Sequence, residues 1–226
     1  MFGVSALIPA TLVSKLEPIV GCAMRIAVIG AGSVGRTLGK AWQQQGHDVT
    51  YGVPKPDDGK YAPLGSTVAT NAQAAADAEV IVLCTPWDAT RQALTACGDI
   101  GGKVIIDCTN PLSADAAALT VGHTTSGAEH VAQWASGGRV CKALNQIGAS
   151  MMDAPQLRGV PVMFVCGDDD AAKKITLSLV HELGFEAVDA GDLTAARLLE
   201  PFGLLWIHLA LRRGLGRNWG FGILRG

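Results

Sequence analysis

The residues with the clearest chemical meaning form a glycine-rich loop, Gly30-Ala-Gly-Ser-Val-Gly35. The apolar, β-branched run Arg25–Ile29 precedes it and a helix-like stretch follows, so the loop joins a predicted buried strand to a predicted helix. In such a loop Gly30 permits the tight turn, Gly32 lets a pyrophosphate approach, and Gly35 lets the helix pack on the strand. The amides of the first helical turn then face the phosphates. The spacing therefore predicts a dinucleotide site.

The end of the second predicted strand indicates which dinucleotide binds. A site for NAD usually has a carboxylate about 20 residues after the glycines, where it holds the ribose 2′-hydroxyl. Here residues 49–55 read Val-Thr-Tyr-Gly-Val-Pro-Lys, and no carboxylate occurs before Asp57. The missing anion and the nearby Lys55 favour NADP, whose 2′-phosphate Lys55 and also Lys60 could meet as point charges. The other reading is that both lysines are solvated loop residues.

Polar residues follow three more predicted strands, at the sheet edge where ligands of open α/β sheets bind. Thr85 and Pro86 follow the third strand, where Thr85 can hydrogen-bond a ribose or a phosphate and Pro86 can pack against a ring. Asn110 follows the fourth strand and Asn145 the fifth. Each carboxamide both donates and accepts, which suits a nicotinamide carboxamide or a second ligand. Each asparagine could instead satisfy loop backbone.

The chain shows no obvious acid–base or nucleophilic centre. It lacks the G-x-S-x-G and H-E-x-x-H motifs, and its five histidines are dispersed, so no metal site is predicted. One Tyr-x-x-x-Lys spacing, Tyr51 to Lys55, includes a glycine and a proline and cannot lie on one helix face. If a reaction needs a proton donor, the weak candidates are Asp88, His123 and His208.

Strands and helices alternate along the chain, which predicts an α/β fold with a doubly wound, mostly parallel sheet and right-handed crossovers. The predicted strands are Arg25–Ile29, Asp48–Tyr51, Val80–Leu83, Lys103–Asp107, Arg139–Leu144, Val160–Val165 and Glu186–Asp189. Pro161 indicates that the sixth of these is an edge strand. The predicted helices are residues 34–45, 71–77, 88–97, 126–135, 168–183 and 193–213, the last with a break or kink near Pro201.

Composition narrows the class of protein. The 226 residues are 49% hydrophobic and 17% charged, and the 28 glycines show no G-X-Y period. These values exclude a disordered or collagenous chain and fit one compact domain, or one domain with a small appendage. A net charge of −2 gives no reason to expect nucleic acid or an anionic membrane as partner. Six scattered cysteines without a C-x-x-C motif indicate reduced thiols and a cytoplasmic protein.

The first 23 residues differ from the rest. The apolar run Phe2–Val13 is interrupted by Pro9 and lacks a basic region before it, so neither a secretory signal nor a membrane span is expected. We predict a flexible extension over residues 1–23, a nucleotide-binding domain over 24–190, and a C-terminal helix and tail over 191–226.

Three segments together resemble the coenzyme F420-dependent NADP oxidoreductase family: Met24–Gly35, the Asp107–Leu112 turn and Lys142–Gly148. They are also similar to the cytosolic reductase domain of six-transmembrane ferric reductases. The resemblance implies a Rossmann domain with a small C-terminal helical extension, NADP(H) binding, and hydride exchange with a flavin-like ring.

The resemblance also implies roles for individual residues. Family members usually carry a basic residue soon after the glycine that ends the second strand, and here Pro54 precedes Lys55. The residues that match the family's pyrophosphate motif are Gly30, Gly32, Ser33, Val34 and Gly35.

Three functions fit this sequence. The leading one is an oxidoreductase that transfers a hydride between NADP(H) and a deazaflavin (F420) or flavin acceptor, which needs aligned rings but no acid. The second is an NADPH-dependent reductase of a small imine or carbonyl substrate, which needs a proton donor. The third is a non-catalytic NADP(H)-binding sensor.

The last predicted helix carries two further expectations. Its apolar stretch Leu198–Leu211 predicts a homodimer, or else a helix buried within one chain. We also expect Leu204, Trp206 and His208 to cover an acceptor ring stacked near Pro86 and the two asparagines.

Overall fold

The computed structural model describes residues 22–64, 67–153 and 157–226. The strands are β1 Arg25–Ile29, β2 Asp48–Gly52, β3 Thr67–Ala69, β4 Val80–Leu83, β5 Val104–Asp107, β6 Arg139–Lys142, β7 Val162–Gly167 and β8 Glu186–Asp189. They form one eight-stranded sheet in the order β3-β2-β1-β4-β5-β6-β7-β8. Neighbouring strands run parallel except β6 and β7, which are antiparallel. The predicted doubly wound, mostly parallel α/β sheet is confirmed.

Helices cover both faces of this sheet. They are α1 Ser33–Gln44, α2 Asn71–Ala76, α3 Trp87–Thr95, α4 Gly127–Trp134, α5 Asp170–Glu182 and α6 Ala196–Leu211. Side chains of β1 alternate between two core clusters, because successive residues of a strand face opposite sides. Ile26 and Val28 pack with α1 and α5, whereas Ala27 and Ile29 pack with α2, α3 and α4.

The strand order places a switch point between β1 and β4. From β1 the chain moves outward to β2 and β3, and then returns to the other side of β1 to build β4, β5 and β6. Crossover loops diverge at the carboxyl ends of these two central strands, which is where open α/β sheets bind their ligands. The glycine loop follows β1 at this position.

Three details differ from the sequence prediction. The short strand β3 was not predicted, because three residues carry too little periodic signal. The prediction of an edge strand at Pro161 is wrong: β7 lies between β6 and β8 and begins at Val162, so the proline precedes the ladder. The predicted break near Pro201 is not found, since α6 runs continuously through it. Pro201 is exposed, so its ring lies outside the core.

The glycine-rich tail packs against the domain. The Trp219 ring stacks on Trp206 at a centroid distance of 5.5 Å. The Phe221 carbonyl accepts a hydrogen bond of 2.8 Å from the Val162 amide at the start of β7. Within the described ranges, no helix has both the length and the apolar character needed to cross a bilayer. Residues 1–21 of the predicted extension lie outside the described residues.

Candidate functional site

The three glycines of the loop meet different physical demands. Gly30 has φ +102°, and a Cβ there would lie 2.9 Å from the carbonyl oxygen of Cys84. A Cβ on Gly35 would lie 2.0 Å from the Gly30 carbonyl oxygen. A Cβ on Gly32 would meet no atom within 4 Å. The fold therefore requires the first and third glycines, whereas the second leaves open space beside the helix for a bound group.

Helix α1 presents an uncapped N-terminus to this open space. Its N-cap is Gly32, which offers no side-chain hydrogen bond, and its first turn contains no acidic residue. The leading amides of a helix lack intrahelical partners, and the helix dipole favours a negative charge beside them. The loop and the helix start are thus suited to the pyrophosphate of a dinucleotide.

A first cleft of about 700 Å³ opens on the β2 side of the glycine loop. It is lined by Gly30 and Gly32, by the end of β2, and by basic residues Arg36 and Lys60. This volume is in the range of small-molecule sites. Lys55 is exposed and does not line the cleft.

Arg36 is a site residue that the sequence analysis missed. Its guanidinium donates to the Ala31 carbonyl at 2.8 Å and to the Lys60 carbonyl at 3.0 Å. These bonds hold a fixed positive charge in the wall of the first cleft. The available signal was its place directly after the last glycine of the loop, in the first turn of α1.

A second cleft of about 560 Å³ lies on the β5 side of the loop. It shares Cys84, Thr85 and Pro86 with the first cleft, so the two clefts adjoin at the end of β4. Val34 and Asn110 also line it. The pair of clefts therefore forms one groove that runs past the glycine loop and the start of α1.

The hydroxyl of Thr85 is restricted to one hydrogen-bonding role toward a ligand. Thr90 donates its proton to the Pro86 carbonyl at 2.9 Å, so the 2.9 Å contact between the two threonine hydroxyls must use the proton of Thr85. The Thr85 oxygen can then only accept from a ligand. This arrangement favours a ribose hydroxyl over an unprotonated phosphate as its partner.

The two predicted asparagines contact each other. Asn110 Nδ2 donates to the Asn145 carbonyl at 2.9 Å, and Asn145 Nδ2 donates to Asn110 Oδ1 at 3.0 Å and to the Leu199 carbonyl at 3.0 Å. Asn145 is buried and does not line either cleft. Gln146 Nε2 donates to Asn145 Oδ1 at 3.0 Å. Asn145 thus lies behind Asn110 and ties the β5 turn to α6.

A cluster of three buried charged side chains contacts the turn that follows β5. Lys142 Nζ donates to Asp107 Oδ2 at 2.9 Å, to Glu200 Oε1 at 3.0 Å and to the Thr109 carbonyl at 2.5 Å. All three charged side chains are buried. Burial acts to lower the pKa of Lys142, but the two carboxylates outweigh it and raise that pKa above 10.5. The lysine is therefore charged at neutral pH. The sequence analysis missed this cluster, because Glu200 comes from the distant helix α6.

Helix α6 does not cover the second cleft. Leu204, Trp206 and His208 are absent from its lining, so the predicted cover is wrong. Trp206 is buried and stacks against the tail. Of the weak proton-donor candidates, Asp88 lines the second cleft, whereas His123 and His208 do not.

The wall opposite β4 is the 112–120 loop, which the sequence analysis did not single out. It is closed on itself by a bridge between Leu112 and Leu119 and by a 2.7 Å bond from the Thr120 amide to the Pro111 carbonyl. Arg212, after α6, donates to the Asp115 carbonyl at 2.8 Å. In the part of the chain that the structure describes, no three metal-ligating side chains cluster.

Several known proteins are similar to this chain in sequence. The family model described as "NADP oxidoreductase coenzyme F420-dependent" matches residues 25–111. An F420-dependent NADP reductase from Methanothermobacter thermautotrophicus is 31% identical over 226 residues, covering 88% of this chain and 94% of that protein. The chain belongs to the coenzyme F420-dependent NADP oxidoreductase family. It is an NADP-dependent oxidoreductase, which confirms the predicted family, enzyme class and cofactor.

Two further relatives agree with this assignment. A crystal structure of a candidate F420-dependent NADP reductase from Arthrobacter sp. FB24 has a TM-score of 0.82 and 33% identity, and the match covers 90% of this chain and 100% of that one. The metalloreductase STEAP3 of Rattus norvegicus is 27% identical over 184 residues, which is 80% of this chain. This chain spans only 37% of the length of that metalloreductase.

Proposed function

We propose that this protein transfers a hydride between NADP(H) and a deazaflavin acceptor such as F420, or a related flavin. The observation that carries the proposal is the pair of adjoining clefts on either side of the glycine loop. One cleft carries basic side chains suited to a phosphorylated adenosine, and the other is large enough for a ring system to meet the nicotinamide.

The residues present fit the cofactor in this orientation. The adenosine half would occupy the first cleft beside Arg36, with the pyrophosphate at Gly32 and the start of α1. The nicotinamide end would enter the second cleft past Thr85, whose oxygen accepts from a ribose hydroxyl. The nicotinamide supplies the hydride chemistry when bound, and the protein orients the rings and excludes water.

Hydride transfer can be followed directly. We expect the protein to oxidise NADPH when F420 is supplied, with FMN tested in parallel, and to leave NADPH unchanged without an acceptor. Absorbance of NADPH and fluorescence of the acceptor report the two halves of the reaction. Tight binding of NADPH without turnover of any deazaflavin or flavin would refute the proposal and favour a non-catalytic sensor.

Arg36 is proposed to bind the 2′-phosphate together with Lys60. Arg36→Ala is expected to weaken NADPH binding about 10- to 100-fold while NADH binding changes little, because a charge-assisted bond to phosphate is lost. Fluorescence titration with both cofactors measures this difference. Lys40→Ala, an exposed lysine one turn along α1, is the matched control and should affect neither cofactor.

The sequence-based prediction that Lys55 meets the 2′-phosphate can be tested in the same titration. If Lys55 binds the phosphate, Lys55→Ala weakens NADPH far more than NADH. Equal effects on the two cofactors would refute that contact. An equal loss for both cofactors in Arg36→Ala would likewise contradict its assignment.

Reduction of a small imine or carbonyl is the second candidate, and the position of Asp88 supports it. Asp88 lies in the first turn of α3 and lines the second cleft, where it could donate a proton. For this reaction Asp88→Asn should lower kcat about 100-fold without loss of NADPH affinity, since a general acid contributes about 10²–10⁴. Deazaflavin reduction should be unaffected, and Asp77→Asn, on the exposed end of α2, is the control.

We also propose that the protein is a cytoplasmic homodimer. Six free cysteines support the cytoplasmic location.

The dimer is supported by helix α6, which has one apolar, uncovered face. Leu198 is 73% exposed and Leu205 is 45% exposed, and Pro201 lies on the same stripe. Light scattering at micromolar concentration should give twice the chain mass, and Leu205→Glu should shift it toward the monomer. A monomeric wild type would contradict the dimer.

A further inference from the structure

Two cysteines lie side by side where the clefts meet. β4 and β5 pair in parallel with Leu83 opposite Asp107, so the next residues, Cys84 and Cys108, are also opposite each other. The Cys108 amide donates to the Leu83 carbonyl at 3.1 Å, which extends the pairing to these positions. Both cysteines line the second cleft, and the Cys84 thiol is close enough to contribute to the raised pKa of Cys108.

The backbone spacing at these positions suits a covalent bridge. Neighbouring strands lie about 4.8 Å apart, and in-register side chains of a parallel pair leave the sheet on the same face. Disulfides join cysteines whose Cα atoms are about 4.4–6.8 Å apart. Cys84 and Cys108 therefore meet the distance requirement without a large movement of the sheet.

We propose that Cys84 and Cys108 form a redox-sensitive dithiol that a two-electron oxidant, of the peroxide or azo class, converts to a disulfide at the junction of the two clefts. Nothing in the hydride-transfer reaction uses these thiols. Their place in the groove makes them a modification site rather than part of the chemistry.

The two thiols differ in access, which gives them different roles. Cys84 is partly exposed in both clefts, whereas Cys108 is 8% exposed. Burial, the contact with Cys84 and the charge of Asp107 raise the pKa of Cys108 well above 9.0, so it is protonated at neutral pH. The oxidant is thus expected to react first with Cys84, and Cys108 then completes the bridge.

The reaction balances in atoms and electrons. With hydrogen peroxide, the Cys84 sulfur attacks one oxygen, the O–O bond breaks, and a sulfenic acid and one water form. The Cys108 thiol then passes its proton to the sulfenic oxygen as its sulfur attacks the oxidised sulfur, the S–S bond forms, the S–O bond breaks, and a second water leaves. The two thiols lose two electrons and two protons in total. With an azo oxidant such as diamide, the same electrons and protons reduce the N=N bond to a hydrazine.

Other cysteines provide a contrast. Cys97, Cys141 and Cys166 are buried in the hydrophobic core, and burial raises their pKa values to about 11, about 11 and about 12. None of these three thiols lines either cleft, so an oxidant in the groove does not reach them, whereas Cys108 needs only to meet the oxidised sulfur of Cys84. Cys22 is exposed but is not opposite a second cysteine in the described sheet. Oxidation should therefore favour the pair in the groove.

A consequence for binding rests on the proposed function. If NADPH lies across Cys84, bound cofactor should protect the thiols, and the disulfide should reshape the surface on which the nicotinamide end rests. We expect oxidation to weaken NADPH binding about tenfold, with full recovery after dithiothreitol. The cross-link itself is measured separately, so a failure of the function assignment would remove the protection but leave the bridge.

Peptide mass spectrometry tests the cross-link. Trypsin would place Cys84 in peptide 61–91 and Cys108 in peptide 104–139, and each peptide contains a single cysteine. After diamide or peroxide treatment of the full chain and alkylation of free thiols, we expect these two peptides to be joined, and to be separate after reduction. Cys97→Ser is the matched control and should form the same cross-link.

The cysteine variants distinguish a specific Cys84–Cys108 disulfide from unspecific oxidation of the cysteines. Loss of the cross-linked species in Cys84→Ser and in Cys108→Ser, with retention in Cys97→Ser, would support it. Circular dichroism of the reduced variants checks that they fold. Absence of the 61–91 to 104–139 species in oxidised wild type, or cross-links spread equally over other cysteine pairs, would overturn it.

Discussion

Lys142→Met is expected to destabilise the folded protein by about 3–5 kcal/mol, because the change leaves two buried carboxylates without their cation. In the variant, Asp107 still accepts hydrogen bonds from the Thr109 amide and hydroxyl. Glu200 still accepts hydrogen bonds from the amides of Gly127 and Ala128. These bonds do not neutralise either charge. Methionine has a similar volume, so the loss reports electrostatics rather than a cavity.

Urea unfolding measures the loss, and Lys174→Met is its control. Lys174 is exposed on α5, so its replacement should change the unfolding free energy by less than about 0.5 kcal/mol. Adding Asp107→Asn and Glu200→Gln to Lys142→Met should recover part of the stability, since the buried charges are then removed together. Equal stability of Lys142→Met and Lys174→Met would show that the cluster contributes little.

The loss of folding stability at alkaline pH should depend on Lys142. The pKa of Lys142 in the folded protein is raised above 10.5. Its contribution to the free energy of unfolding is therefore complete below pH 10.5 and is lost as the pH rises through the higher folded pKa. The wild type should therefore show no change from this group between pH 6 and 9 and a loss of stability above about 10.5. Lys142→Met should lack that alkaline step.

Gly32→Ala is expected to weaken NADPH binding about 100-fold, or about 2.7 kcal/mol, while leaving the thermal midpoint unchanged. In the protein alone, the added methyl meets no atom within 4 Å, so the fold has room for it. The same space is where a pyrophosphate would approach the backbone. Calorimetry for binding and a thermal scan for stability separate the two effects.

Gly35→Ala is the matched comparison in the same loop. Its methyl would lie 2.0 Å from the Gly30 carbonyl oxygen, so the backbone must shift and the thermal midpoint should fall. If Gly32→Ala instead lowered the midpoint as much as Gly35→Ala, the space beside Gly32 would be part of the fold and not of the cofactor site.

Local sequence signals predicted the glycine loop and its place between a strand and a helix. The glycine loop is read from neighbouring residues, because a strand, three glycines and a helix follow one another within the segment Arg25–Gln44. Lys55 is near Gly52 in sequence, but the structure places it on the surface outside the first cleft, so its contact with the 2′-phosphate stays a prediction. Arg36 lines the cleft instead, because α1 turns its side chain back over the loop.

Long-range packing decided what the sequence could not show. Asn145 was expected to contact the cofactor, yet the bonds to Asn110 and the Leu199 carbonyl place it behind the cleft. Its role as a cofactor ligand stays a prediction. Glu200 joins Lys142 from more than fifty residues away along the chain, and no periodic pattern reports such a contact.

The self-closed 112–120 loop makes the protein modular. The family model ends at Pro111, where this loop begins, so the matched segment includes the glycine loop and stops before this wall of the second cleft. The loop leaves and rejoins the chain through the bond between Thr120 and Pro111 and carries its own internal bridge. We expect that exchange of these few residues for another sequence of equal span would alter the choice of hydride acceptor and leave the adenosine half of the dinucleotide in place, because the loop lines the second cleft and not the first.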